Sequence, residues 1–242
     1  MNVWNQTSQI ELYRGVYPKF RPASRPVGRI PGNHDIDSAG SSVPHALAQL
    51  QHFKATFGTA DYSTLNTKTA SFVMLNSEFL ILPFFGLNGT TDARILEPVA
   101  AQWAWAERQL AAAAVAKLIP IIVSHHPPFL KLENEAHQYF NMPLVPRAKL
   151  LALARKYGVK HILCGHTHTT REVATDDGIQ IFTTAGTSVA FDSLGCGYRR
   201  LTIDPSADPE VAQEYVELPG GGGAPGCVKA APPMGGWLAA WG

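Results

Sequence analysis

The chain has 242 residues, and its 45 % hydrophobic content provides for a sizeable folded core and excludes a mainly disordered protein. Its 20 basic and 19 acidic residues leave a net charge of +1, which argues against nucleic acid or an anionic membrane surface as the main partner. No run of about 18 apolar residues is present, so we expect no membrane-spanning helix.

The first half of the sequence alternates helical and strand-like patterns. Apolar residues recur at helical spacing in three segments, and short apolar runs separate them. In chain order the predicted elements are a helix over Thr7–Phe20, a strand over Val27–Ile30, a helix over Pro44–Phe57, strands over Tyr62–Leu65 and Ala70–Asn76, and a long helix over Pro98–Leu118.

The second half is richer in strands. Its predicted elements are strands over Pro120–Ser124 and Val159–Cys164, a helix over Val145–Tyr157 between them, and later strands over Ile179–Thr184, Cys196–Ile203 and Val211–Leu218. The order predicts a mixed α/β (α+β) fold with mixed sheets and helices outside. We expect one domain over 1–218 and a Gly/Pro-rich disordered tail over 219–242, where Gly and Pro make up half of the residues.

Three short motifs follow predicted strands and carry side chains that bind metals. They are Gly32-Asn33-His34-Asp35, Ser124-His125-His126-Pro127 and Gly165-His166-Thr167-His168. Ligand sites in α/β sheets gather at the carboxyl ends of strands, so we expect the three motifs to meet. In an extended segment His166 and His168 would project to the same side. Gly32 and Gly165 would allow the backbone to turn tightly beside a ligand.

The donor types in these motifs favour a catalytic metal. Two imidazoles from one segment suit zinc, iron or manganese, and the Asn33 amide oxygen suits a harder cation. No cysteine lies in the motifs as a ligand candidate, which argues against a structural zinc site of the Cys type.

In that order and spacing, the motifs resemble those of the calcineurin-like metallophosphoesterases. The resemblance covers residues 1–218. Within the family, Tyr139-Phe140-Asn141 and the run Lys149–Gly165 look most like the complete serine/threonine phosphatase type. It implies two mixed β-sheets packed as a sandwich flanked by helices. The first β-α-β unit of that architecture is missing from this sequence, because neither an Asp-x-His motif nor a Gly-Asp-x-x-Asp/Asn motif precedes Gly32.

The resemblance also implies roles for individual residues. Asn33, His125 and His166 would bind the second of two metal ions (manganese, iron or zinc), and His168 would bind the first. His34 would act as the general acid, with Asp35 orienting and charging its imidazole. His126 is open to two interpretations, a local role in shaping the pocket or no role.

The implied activity is hydrolysis of a phosphomonoester or phosphodiester by a hydroxide that two metals activate. Because two metal-ligand motifs are absent, we expect an N-terminally truncated version of a longer enzyme. The alternative is a catalytically impaired relative that acts as a binding or regulatory module.

The expected partner is a phosphorylated small molecule or a phosphoprotein substrate, with neither nucleic acid nor membrane. The loop over Phe129–Pro143 and the segment Thr184–Gly197 are predicted to form the pocket walls. Arg171, Arg199 and Arg200 are candidates to bind substrate phosphate, with solvated or structural roles as the alternative. Three cysteines without a CxxC motif predict no disulfide framework and favour a cytoplasmic location.

Overall fold

The structure is a computed structural model that describes residue 11 and residues 27–36, 42–218 and 227–229. The predicted helix over Thr7–Phe20 therefore lies outside the described residues, apart from residue 11. No helix in the described ranges is both long enough and apolar enough to cross a membrane.

A central sheet of six strands organises the fold. In chain order its strands are β1 (Ser63–Asn66), β2 (Ala70–Met74), β3 (Ile119–Val123), β4 (His161–Cys164), β5 (Arg171–Ala174) and β6 (Gln180–Thr183). They lie side by side in the order β1-β2-β3-β4-β6-β5. The four inner strands run parallel, whereas β1 and β5 pair antiparallel at the two edges. The carboxyl ends of β3 and β4 consequently lie next to each other.

The two faces of the sheet bury different partners. Helices α1 (Val43–Phe57), α2 (Ser77–Ile81), α3 (Ala93–Val115) and α4 (Leu144–Lys156) contribute to the larger core on one face. The antiparallel pair β8 (Gly197–Ile203) and β9 (Val211–Glu217) packs on the other. Strand residues alternate between them: Val73, Ile122 and Ile162 face the helices, and Phe72, Ile121 and Leu163 face β8 and β9. This is the mixed α/β sandwich that the sequence predicts.

Side-chain caps mark the starts of α1 and α3. Helix α1 begins after Ser42, whose Oγ accepts from the N–H of His45, and ends at Gly58 in the left-handed region. Helix α3 begins five residues before the predicted start at Pro98, because Asp92 caps it by accepting from the N–H of Arg94. Pro98 lies inside the helix, where it removes one backbone hydrogen bond.

Some short elements differ from the sequence-based prediction. Residues 27–30 form no strand among the described residues, so the prediction there is wrong. The short helix α2 and strand β5 were not predicted. A single helical turn is too short to show the helical period, and β5 is mostly exposed and has no apolar run.

A disulfide joins the C-terminal region to the rest of the chain. Cys196 and Cys227 are bonded, and β10 (Val228–Lys229) pairs in parallel with β7 (Val189–Ala190). A described strand therefore falls within the predicted disordered tail, and the bonded pair removes the cysteine argument for a cytoplasmic location. The domain boundary at 218 stays a prediction. Cys164 is a buried free thiol, and burial raises its pKa to about 12.

Candidate active site

The three sequence motifs meet at the carboxyl edge of the central sheet. The motif after β3 and the motif after β4 are neighbours, and the N–H of Gly165 donates to the carbonyl of His125 over 3.0 Å. The turn over residues 32–36 is closed by the N–H groups of Asp35 and Ile36, which both donate to the carbonyl of Gly32. From this turn the side chain of Asn33 contacts His125.

Three side-chain atoms from these motifs form a tight triangle. Oδ1 of Asn33 lies 2.9 Å from Nε2 of His125 and 3.3 Å from Nδ1 of His166. Nε2 of His125 lies 3.2 Å from Nδ1 of His166. The positions of these atoms in the chain span 133 residues, so the fold alone brings them together.

The triangle fits a cation of the transition-metal type. Ligand atoms bound at about 2.0–2.1 Å to one ion stand roughly 2.8–3.0 Å apart in octahedral coordination and roughly 3.3–3.4 Å apart in tetrahedral coordination. Burial is the main cause that lowers the pKa of His166 to about 3, and burial with the neighbouring histidines lowers the pKa of His125 well below its usual value. Both rings are therefore neutral near pH 7 and carry a lone pair for a metal.

The third donor of the triangle is the amide oxygen of Asn33 rather than a carboxylate or a thiolate. Among the described residues no group of three or more His, Cys, Asp and Glu side chains is arranged to hold a metal ion. Two imidazoles and the oxygen of Asn33 form a donor set without net charge.

Gly32 is required by close approach rather than by turn geometry. A Cβ built on it would lie 2.8 Å from Cε1 of His125, closer than real contacts. A Cβ at Gly165 would lie 3.6 Å from Nδ1 of His125, an ordinary contact, and neither glycine has a positive φ. Gly32 thus lies in a turn beside a ligand candidate, and the close approach to His125, not its φ value, is what requires glycine there.

The left-handed residues of this region are instead two histidines. His166 has φ 65° and His168 has φ 53°, so the segment is bent and the predicted extended pair is wrong. Nδ1 of His168 lies 3.2 Å from the carbonyl oxygen of Val189, and its ring stacks on Phe191 with centroids 4.9 Å apart. The structure thus gives His168 neighbours of its own, apart from the three-atom triangle. A proton on Nδ1 leaves the lone pair on Nε2.

His34 is exposed beside the triangle, and its charge contributes to lowering the pKa of His125. The Asp35 carboxylate accepts a hydrogen bond from the N–H of Gly32 over 2.9 Å, so it closes the turn that carries Asn33. Burial, as the largest cause, raises the pKa of Asp35; the Gly32 bond and His34 act in the opposite direction.

Two residues that the sequence analysis did not identify, Ser77 and Glu78, contact the loop that follows β3. Oγ of Ser77 accepts from the backbone N–H groups of His125 and His126, over 3.1 and 3.0 Å. Oε1 of Glu78 lies 2.8 Å from Nδ1 of His126, with both side chains almost fully buried. The two atoms are close, but their geometry does not meet the criteria for a hydrogen bond. Burial lowers the pKa of His126, to a larger extent than the charge of His137 does.

His126 therefore has a definite local role. Its ring packs against His166 with centroids 4.0 Å apart and connects that ligand candidate to Glu78. One sequence signal could have identified Ser77 and Glu78: the polar run Asn76-Ser77-Glu78 that follows a buried strand. Asn76 caps α2 by accepting from the N–H of Phe79.

Tyr139 reaches the triangle from the loop over Phe129–Pro143. Its hydroxyl accepts from Nδ2 of Asn33 over 2.8 Å, and its backbone carbonyl lies 2.9 Å from Nε2 of His166. The loop prediction is confirmed, because residues 129–143 contain neither helix nor strand.

Two of the three candidate arginines near the last motif, Arg199 and Arg200, are engaged in structural pairs. The Arg199 side chain contacts Glu172, Gln213 and the carbonyl of Thr183, and Arg200 pairs with Glu214. These partners favour the structural interpretation of both residues.

Comparison with known proteins agrees with the motif analysis. The sequence model of the family described as calcineurin-like phosphoesterase matches residues 6–170, more than half of the chain. The chain is 30 % identical over 144 residues to serine/threonine-protein phosphatase CPPED1 of Rattus norvegicus, a match that covers 59 % of this chain and 41 % of the relative. The Mus musculus protein of the same name is 27 % identical over 166 residues, covering 68 % and 48 %.

The chain thus spans less than half the length of these curated relatives. Among solved structures, that of a dimetal phosphatase from Danio rerio aligns over 77 % of this chain and 69 % of that chain, with a TM-score of 0.47 and 15 % identity. The family match, together with the order of the three motifs, is decisive: this chain belongs to the calcineurin-like phosphoesterase family.

Proposed function

We propose that this chain hydrolyses phosphoester bonds with the help of bound metal ions. The observation that carries the proposal is the triangle of Asn33 Oδ1, His125 Nε2 and His166 Nδ1, with edges of 2.9–3.3 Å at the sheet edge where the motifs meet. These three residues would hold the second metal ion. His168, through Nε2, would serve the first, so that the centre is binuclear.

A divalent ion held there would supply Lewis-acid polarisation of the phosphoryl group and activate water as the nucleophile. Manganese, iron and zinc all suit the donor set. Because the two imidazoles are neutral, no net proton has to leave when a metal binds. For Nε2 of His125 to bind the metal, the proton of that ring would lie on Nδ1.

His34 is the proposed proton donor to the leaving alkoxide. Its exposure beside the triangle supports that role, because a general acid has to reach the substrate oxygen while staying in contact with solvent protons. Asp35 supports it indirectly: its bond to Gly32 fixes the turn on which Asn33 and His34 stand.

Phosphorylated small molecules and phosphoproteins are the proposed substrate classes. The name of the relatives, serine/threonine-protein phosphatase, favours phosphoserine and phosphothreonine. The net charge of +1, with Arg199 and Arg200 paired to acidic neighbours, argues against nucleic acid as a substrate.

A second candidate function is a binding module without catalysis. The absence of a carboxylate from the three-donor triangle favours it, because a neutral set holds a divalent cation more weakly than an anionic one.

One experiment separates the two functions. The full chain is purified, its manganese, iron and zinc contents are measured by plasma mass spectrometry, and hydrolysis of p-nitrophenyl phosphate is followed with each metal added. We expect His125→Ala and His166→Ala to abolish both metal retention and hydrolysis. His52→Ala, on the exposed face of α1, is the matched control and should retain both. Wild-type protein that binds metal without hydrolysing any phosphoester would establish the binding module instead.

A further inference from the structure

We propose that Tyr139 is a positioning residue that sets which atoms of Asn33 and His166 face the metal. The inference rests on the proposed function, since it assigns the residue that orients two of the three ligands. It is carried by two hydrogen bonds from one residue to two ligand candidates that lie 133 residues apart in the chain.

The first bond holds the amide of Asn33 by its nitrogen end. Nδ2 donates to the hydroxyl oxygen of Tyr139 over 2.8 Å, and Oδ1 at the opposite end is thereby directed to His125 and His166. An amide offers a donor at one end and an acceptor at the other, and only the oxygen is a metal ligand. The hydroxyl therefore gives the nitrogen a partner in the one orientation that presents the oxygen to a cation.

The second bond sets the tautomer of His166. Its Nε2 lies 2.9 Å from the backbone carbonyl oxygen of Tyr139, which is an acceptor only, so Nε2 carries the proton. Nδ1 is then left with its lone pair, and it is the atom that lies in the triangle. A ligating histidine with its other nitrogen bonded to a backbone carbonyl is a recurring way of fixing the ring in metal sites.

The loop that carries Tyr139 is built to hold one conformation. The Glu135 carboxylate accepts from the N–H groups of Leu130, Lys131 and Leu132 and from the amide of Asn141. Arg147, whose side chain is fully buried, donates to the carbonyls of Glu133, Glu135 and Met142.

The Tyr139 ring itself packs against His166, with centroids 4.9 Å apart. A position fixed by so many bonds can impose an orientation on its neighbours at little further cost in conformational entropy. The loop thus does more than line the pocket, because it determines the donor atoms at its base.

The test removes only the hydroxyl. In the full chain, Tyr139→Phe keeps the carbonyl bond to His166 and loses the bond to Asn33. We measure Zn²⁺ affinity by competition with a chromophoric chelator, and the d–d absorption of bound Co²⁺ as a report on ligand geometry. Tyr157→Phe is the matched control, because it removes a hydroxyl that contacts Glu107 away from the site.

The same substitution is repeated in an Asn33→Asp background. A carboxylate has two equivalent ends, so the choice of end no longer depends on Tyr139. We expect Tyr139→Phe to weaken Zn²⁺ binding about ten-fold and to change the Co²⁺ spectrum when Asn33 is present, the lower end of the range for residues that orient ligands. In the Asn33→Asp background the loss should be roughly two-fold or less.

Equal losses in both backgrounds, or no loss in either, would overturn the positioning role. These readouts do not depend on hydrolysis. If the two backgrounds differ as expected while no phosphoester is hydrolysed, the positioning role stands and the proposed function fails. If wild-type protein binds neither Zn²⁺ nor Co²⁺, both are overturned.

Discussion

Nε2 of His125 lies 2.9 Å from Oδ1 of Asn33, although 92 residues separate them in the chain. This contact joins the turn over residues 32–36 to the loop after β3. The backbone of Gly32 lies so close to the His125 ring that a Cβ at position 32 would be 2.8 Å from Cε1 of the ring.

The first prediction follows from that close approach. Gly32→Ala forces the His125 ring and the turn apart, since the contacting atoms belong to a partly buried, rigid ring rather than to a flexible side-chain end. We expect a loss of about 1–3 kcal/mol in the free energy of unfolding, together with weaker metal binding. Urea unfolding and metal titration measure the two effects.

Gly165→Ala is the matched control for this prediction. Its Cβ would meet Nδ1 of the same ring at 3.6 Å, a normal contact, so stability and metal binding should change little. Equal damage from the two substitutions would contradict the steric argument.

Sequence reasoning found the ligand candidates because their pattern is local. His125 and His166 each follow a short apolar strand by two residues, and the carboxyl ends of the neighbouring parallel strands β3 and β4 have to meet. Asn33 follows residues 27–30, which form no strand, so its motif alone identified it. The structure confirms the mixed sheet and the convergence of these three residues. It does not confirm the pairing of His166 with His168, because left-handed φ values at non-glycine residues leave no signal in the sequence.

The residues that contact the ligand candidates, Ser77 and Tyr139, could not be predicted for a different reason. Ser77 contacts the His125 N–H across 48 residues, and Tyr139 contacts Asn33 across 106. Each of these residues is ordinary in its own segment, and only the packed chain shows what it holds. Strands β7 and β10 have two residues each, and no periodicity exists over that length.

A second prediction concerns the pair of Glu78 and His126. The carboxylate is fully buried and lies 2.8 Å from Nδ1 of His126, so Glu78→Ala leaves the ring nitrogen buried without that partner. We expect a loss of about 1–3 kcal/mol in unfolding free energy, the range for leaving a buried polar group without a partner.

Glu78→Gln tests the reason for that loss. The glutamine keeps the volume of the side chain and a polar oxygen next to Nδ1 of His126, so the Gln variant should lose clearly less stability than the Ala variant when both are unfolded in urea. If the two variants unfold at the same urea concentration, the contact with His126 contributes nothing to stability.

A third prediction gives the pH dependence of the loop that carries Tyr139. Burial raises the pKa of Glu135, but the hydrogen bonds from Asn141 and three backbone N–H groups together outweigh burial and hold the pKa below its usual value. A carboxyl group with a pKa lowered by folding stabilises the folded state fully above its unfolded pKa of about 4.3. That contribution is lost as the pH falls through the lower, folded value.

Glu135→Gln should therefore be less stable than wild type at pH 7, and the difference in unfolding free energy should shrink below about pH 4. Urea unfolding of both proteins between about pH 3 and pH 7 measures it. A difference that stays constant over that range would show that the charge on Glu135 is irrelevant to the loop.

The fourth prediction concerns His168 and the disulfide between Cys196 and Cys227. Nδ1 of His168 lies 3.2 Å from the carbonyl oxygen of Val189, and the N–H of Phe191 donates to the carbonyl of His168. Val189 and its neighbour in β7 pair with β10, which directly follows Cys227. Opening the disulfide therefore releases the strand beside the residue that holds His168. Because the bond closes a loop of 31 residues, we expect a loss of about 2–4 kcal/mol in unfolding free energy for Cys227→Ser.

The local effect should appear in hydrogen exchange. Amide protons of residues 185–196 should exchange faster in Cys227→Ser than in wild type, whereas those of β3 and β4 in the central sheet should show the smallest change, because they open last. Dithiothreitol should accelerate exchange in wild type to the rate seen in Cys227→Ser. It should not change the exchange of the variant, which controls for effects of the reagent on other thiols such as Cys164. If reduction accelerates exchange in 185–196 equally in both proteins, the disulfide does not hold β7, and His168 is positioned by its contacts with Val189 and Phe191 alone.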